Sequence, residues 1–141
     1  LLIDLSNLKV LVRGHRAQKG FDFIRRAVIP GGTVSVDRLV NEITADNILS
    51  LFVGAKLSEA AQIAAKSLAD NTTLTALDMA CDNALINYAR ASRFAYFGES
   101  QVVSFLIASE AELTAVRTVI AGRMAGLSEE KIMERLRVSY A

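Results

Sequence analysis

The stretch from Tyr96 to Arg137, YFGESQVVSFLIASEAELTAVRTVIAGRMAGLSEEKIMERLR, constrains the fold more than any other part of the chain. Gly98 breaks the chain, Glu99 and Ser100 offer caps, and apolar residues then recur at Val102, Leu106, Leu113, Val116, Ile120 and Met124. Steps of three, four and seven put these six on one helical face, the pattern of a core stripe. Ala125-Gly126-Leu127 ends that helix, and Ser128-Glu129-Glu130 opens a short one running toward Arg137. The expectation is a helical hairpin with a fixed corner.

The preceding sequence reads as further helices. Asp4-Leu5-Ser6-Asn7 supplies capping side chains for a first amphipathic helix through Leu8, Leu11 and Val12, ending near Gly20. A second apolar segment, Phe21, Phe23, Ile24, Val28 and Ile29, stops at Pro30-Gly31-Gly32, where proline disfavours helix before it and glycine admits positive φ. Thr33 or Ser35 then caps a helix through Val36, Leu39, Val40 and Ile43, and Thr44-Ala45-Asp46-Asn47 caps one through Ile48, Leu49, Leu51 and Phe52. Ser58-Glu59 opens an alanine-rich helix, Ala60 to Leu68, suited to close helix approach. After Asp70-Asn71-Thr72-Thr73, a long helix carries Leu74, Leu77, Cys81, Ala84, Leu85 and Tyr88 on one stripe. The one alternating stretch, Thr33 to Val36, is too short for a strand. The fold class is all-α, a bundle of amphipathic helices, with sub-units expected over 1–56 and 57–141 and the hairpin at 96–137.

An internal echo runs between the two ends. Asn7-Leu8, then Leu11, basic residues, Gly20 and a short helix, matches Glu112-Leu113, then Val116, Arg117, Arg123, Gly126 and a short helix, within a slip of one residue.

Several chemistries lose their footing in the composition. The 141 residues are 52% hydrophobic and 22% charged, which argues for a packed core and against disorder. A net charge of +1 supplies no field toward nucleic acid or anionic lipid. The longest runs without charge, such as Ser100 to Ser109, are about ten residues, against roughly twenty apolar residues for a membrane helix. His15 and Cys81 are each alone of their kind, so no zinc pattern can be written, and Cys81 fits a core stripe flanked by Asp78 and Asp82. Pro30-Gly31-Gly32-Thr33 lacks the Lys-Ser/Thr of a phosphate loop and reads as a turn. Glu129-Glu130 fits the first turn of a helix, and Glu110 with Glu112 a solvated helix face. No catalytic, cofactor-binding or metal-binding residues emerge.

Charged residues remain as candidate partner contacts. Lys9, Arg13, Arg16 and Lys19, extended by Arg25-Arg26, form a stripe that reads as a solvated face or as the seat of an acidic partner. Arg90, Arg93, Arg117 and Arg123 flank the hairpin together with Glu110 and Glu112, and they fit local salt bridges and docking points equally well.

Tyr96-Phe97-Gly98, Glu110-Ala111-Glu112-Leu113, Val116-Arg117, Ala121-Gly122-Arg123, Gly126-Leu127-Ser128, Ile132, Arg135-Leu136 and Tyr140, in that order, resemble the C-terminal segment of the C-type subunit of V/A-type ATPases, the family that includes the d-type subunit of the eukaryotic V-ATPase. Asp4-Leu5-Ser6-Asn7-Leu8, Arg13 and the Pro30-Gly31-Gly32 turn resemble the start of another helical unit in that family. The middle, Leu57 to Asp82, matches in helical character alone. Glu99-Ser100 and Arg123 stand where the family often has proline and lysine.

The resemblance implies an all-helical, funnel-shaped subunit of repeated domains that performs no chemistry and needs no cofactor. It implies a rotor connector between the central-shaft subunits and the membrane proteolipid ring in ATP-driven proton or sodium transport, held peripherally at the cytoplasmic side of the membrane. The opening at Leu1-Leu2-Ile3, without Met, then fits roughly the C-terminal half of a longer repetitive chain. The rival reading is a general helical adaptor that binds an acidic or amphipathic-helix partner through Lys9, Arg13, Arg16 and Arg25.

Overall fold

The computed structural model describes residues 1–41, 47–52, 54, 56–70, 73–92 and 98–139. Ile43, the Thr44-Ala45-Asp46 cap, Arg93, Tyr96, Phe97 and Tyr140 lie outside the described residues. Within them the chain is all-α: α1 (Leu2–Arg16), α2 (Phe21–Ala27), α3 (Val36–Asn41), α4 (Ile48–Leu51), α5 (Ser58–Asp70), α6 (Leu74–Ser92), α7 (Glu99–Met124) and α8 (Glu129–Met133). The chain forms two compact units, Leu1–Ala84 and Leu85–Ala141.

In the first unit α1 packs against α2 and α5, α4 against α5, and α2 against α3. The residues that α5 buries are Ala60, Ala61, Ala64 and Ser67, so small side chains let its neighbours approach closely, as the alanine-rich sequence predicts. Leu8, Leu11, Val12, Leu39, Ile48, Phe52 and Leu77 are among the buried residues of this unit.

Asp4 and Asn7 are not caps. Both lie inside α1, 2% and 0% exposed, and they hold the turn after α2. The Asn7 side-chain amide donates to Ile29 O at 2.9 Å and accepts from Ile29 N–H at 2.8 Å, while Asp4 Oδ1 accepts from Thr33 N–H at 2.7 Å. Backbone groups on both sides of Pro30-Gly31-Gly32 are thereby satisfied by two side chains one helical turn apart. Gly31 takes φ 94, and a Cβ at Gly32 would collide with the Asp4 carboxylate, so both glycines answer to α1.

The second unit corrects the reading of α7. Val102, Leu106, Leu113, Val116, Ile120 and Met124 are exposed, from 54% at Ile120 to 85% at Met124. The buried residues are Ser104, Ile107, Ala108 and Gly122, and at helical spacing Ser104 and Gly122 lie almost directly opposite the stripe. Helical periodicity identified the helix but not its inner side, because α7 is apolar on both. The corner itself is as expected: Gly126 takes φ 69, with Gly126 N–H on Arg123 O and Leu127 N–H on Gly122 O. Gly98 is the N-cap, through its backbone rather than through the Glu99 and Ser100 side chains, which are already helical. The short helix α8 stops at Met133, before Arg137.

The two ends of the chain repeat each other at one fixed spacing. Ala17 (φ −83, ψ 7) and Ala125 (φ −81, ψ 0) close α1 and α7. Gln18 N–H bonds His15 O and Lys19 N–H bonds Gly14 O, the same two closing bonds that Gly126 and Leu127 make. Gly20 (φ −67, ψ 161) and Ser128 (φ −64, ψ 155) then start α2 and α8. A Cβ on Gly14 would lie 3.2 Å from Ile24 Cγ1, and one on Gly122 would lie 2.7 Å from Ile132 Cγ1. The pairing differs from the sequence echo: Leu5, not Leu8, corresponds to Leu113.

The repeat also exposes a strained position. Gln18 sits at φ 50 where Gly126 stands in the second copy. Gln18→Gly is expected to raise the stability of the first unit by about 1 kcal/mol, read as slower amide hydrogen exchange in α1 and α2.

Candidate functional site

The basic stripe of α1 is tied down within the first unit. Lys9 Nζ pairs with Asp82 at 3.0 Å, and Arg13 Nη2 donates to both carboxylate oxygens of Asp78 at 2.9 Å. Positions 9 and 13 meet 82 and 78 in reverse order, so α1 and α6 run antiparallel along this seam. Arg16 donates to Ser67 Oγ at 3.4 Å, Arg25 pairs with Asp37 at 2.7 Å, and the Lys19 ammonium lies 5.6 Å from the centre of the Phe23 ring. These residues are engaged within the first unit rather than forming an unpaired stripe, while the Arg13 and Arg25 side chains stay more than half exposed.

Cys81 lies on α6 between the two acids of that seam. It is buried, and its thiol is pushed up to about 11 from 9.0, first by burial and then by Asp82 and Asp78, with Lys9 and Arg13 opposing. A raised thiol pKa favours the folded state fully below 9.0, and that contribution is lost as pH climbs through about 11. Cys81 is therefore expected to resist a thiol reagent at a pH of about 8 until the chain is unfolded in urea, which a colorimetric thiol titration checks.

Four of the six candidate contacts come together on α7. Glu110, Glu112, Arg117 and Arg123 are all exposed, and no ion pair joins any of them to another described residue. Their spacing explains this. Intrahelical pairs form at three or four residues, whereas Glu110 and Arg117 stand two turns, about 10 Å, apart. On the helix they border the apolar stripe, Glu110 and Arg117 along one edge, Glu112 and Arg123 along the other. Arg90 lies apart from them on α6, half-buried and already engaged, and Arg93 is outside the described residues.

Among the described residues no group of three or more His, Cys, Asp or Glu could hold a metal ion, and no helix is long and apolar enough to cross a membrane. The accessible chemistry is a surface: an apolar helical face with charged edges. The chain belongs to the ATP synthase (C/AC39) subunit family, which matches residues 1–135. This is the V/A-type ATPase family that the ordered residues from Tyr96 to Tyr140 resemble. No curated protein and no solved structure matches the chain.

Proposed function

We infer that the chain is part of a non-catalytic rotor connector of a V/A-type ATPase, joining the central shaft to the proteolipid ring during ATP-driven proton or sodium transport. The observation that carries this is family membership over residues 1–135. The structure is compatible with it in kind: ion pairs between α1 and α6, and a corner closed by backbone hydrogen bonds at Gly126, resist bending, as a torque-bearing element must. In this reading the protein sits peripherally at the cytoplasmic side of the membrane and performs no chemistry. The edge charges of α7 are its contacts within the assembly.

The test is co-purification of the intact natural protein, tagged at one end, with rotor-shaft and proteolipid-ring subunits. Recovery of both is the expected result. Association with neither defeats the reading, and association with the stator alone would move the protein to another part of the machine.

A further inference from the structure

The corner between α1 and α2 and the corner between α7 and α8 fold alike but carry different side chains. At the spacing that matches Gly14 with Gly122 and Ile24 with Ile132, Phe21 and Phe23 of α2 stand where α8 has Glu129 and Lys131. Ile24 and Ile132 are the buried residues of these two short helices, so the isoleucine closes each corner and the flanking positions do not. Phe21 is 68% exposed and Phe23 50% exposed. The fold gives no reason for two large aromatic rings at positions that the other corner fills with charged residues.

The charge inverts as well. From Lys19 to Arg26 three bases accompany one acid, and over the matching residues Leu127 to Glu134 three acids accompany one base. Arg25 is held by Asp37 at 2.7 Å. Lys19 has only the Phe23 ring, whose centre lies 5.6 Å from its ammonium, and Arg26 has only the backbone carbonyl of Asp22 at 3.1 Å. Both side chains are exposed, so two cations with no carboxylate partner among the described residues border two bared rings.

We propose that the corner from Lys19 to Arg26 is a docking site for an acidic segment of another polypeptide. Phe21 and Phe23 rest against its apolar side chains, and Lys19 and Arg26 pair with its carboxylates. Exposed aromatic rings beside cations have the composition of a contact hot spot, and the unpaired cations call for acid on the other side. A bilayer fits less well. Phe21 and Phe23 are two residues apart on a helix, about 200° around it, so no single plane receives both rings, and Asp22 would have to enter with them. Nucleic acid fits less well too, because only two cations are unpaired and an exposed carboxylate stands between the rings. The acidic corner of a second copy is the poorer partner on symmetry. Two unlike corners make a head-to-tail contact, which runs on into a filament unless it closes into a ring. The inference does not rest on the connector reading and holds whichever protein supplies the segment.

The experiment places a photoreactive benzophenone amino acid at Phe21, or at the matching Glu129 as a control, in the intact natural protein within its assembly. Cross-linked peptides are then identified by mass spectrometry. The expected product from Phe21 is a peptide of another protein in which Asp or Glu lies close to apolar residues. Phe23→Ser and Lys19→Glu should each lower its yield several-fold at unchanged helicity by circular dichroism. Changing the partner's acid to Lys should restore the yield of Lys19→Glu and leave that of Phe23→Ser low. A product with lipid, with nucleic acid, with this chain or a second copy of it, or with a peptide that lacks acids overturns the proposal. So does a yield at Phe21 no higher than at Glu129, or a Lys19→Glu variant that cross-links as well as the parent.

Discussion

Gly122→Val is expected to cost the second unit about 3 kcal/mol, the upper part of the range for forcing atoms into a filled space. Even a Cβ at this position would lie 2.7 Å from Ile132 Cγ1 and 3.0 Å from its Cδ1. Ile132 is β-branched, stiff about its first side-chain bond and buried, so it cannot swing aside without losing its own packing. On an open helical face the same substitution would be close to neutral or favourable, because glycine is a poor helix former. Ala121→Val, one residue back on the exposed side, is the control and should shift stability by well under 1 kcal/mol. Because the chain has two units, the measurement is amide hydrogen exchange rather than a single unfolding midpoint. Exchange in α8 should accelerate while α1 and α2 keep their protection. Uniform acceleration along the chain would mean that Gly122 matters for another reason.

Asn7→Ala is expected to cost about 3 kcal/mol as well, by a different route. It removes two hydrogen bonds, leaves Ile29 N–H and C=O without their partner, and opens a void where a fully buried side chain stood. Asn7→Asp separates these terms. The carboxylate can still accept from Ile29 N–H, but when charged it faces the Ile29 carbonyl, with no proton to donate, from inside the core. Burial raises the pKa of such a group, so its protonated form is favoured in the folded state. The folded pKa then lies above the unfolded one, and the variant is most stable below the unfolded value, losing stability as pH rises through the folded value. Relative to the parent chain it should therefore be more stable at about pH 4 than at about pH 7, as amide hydrogen exchange of α1 and α2, compared with the parent chain at each pH, would show. A pH-independent difference would mean that size rather than hydrogen bonding sets the cost.

The helices were legible because their signal is local. Alternate steps of three and four, punctuated by Gly20, Pro30, Gly54 and Gly126, locate most of the elements without knowledge of what they touch. The inner side of α7 was not legible. Val102 to Met124 and Ser104 to Gly122 are two stripes on one helix, and choosing between them needs the neighbour, which no periodicity contains. Asp4 and Asn7 misled for a chemical reason. Short polar side chains near a helix start are usual caps, and the backbone they serve instead lies beyond α2, out of reach of any local pattern. The basic stripe was visible, but its acids on α6 come 65 and 73 residues later. The candidate site was not decided by the sequence, which left local salt bridges and docking points equally open for Glu110 and Arg117; the structure gives neither side chain an ion pair among the described residues, as their spacing of seven explains.

The Lys9–Asp82 pair also imposes a timetable on synthesis. Asn7 meets Ile29 across 22 residues, so α1, α2 and their turn can assemble almost as soon as they leave the ribosome. The seam with α6 must wait for 73 residues, roughly 4 to 15 seconds at ordinary elongation rates. For the part of that interval before α5 is made, the nascent chain carries an α1–α2 hairpin without the helix that α1 packs against. A slow translation step between Ala27 and Ser58 would lengthen that wait and give chaperones, or a neighbouring nascent chain, longer access to the uncovered side.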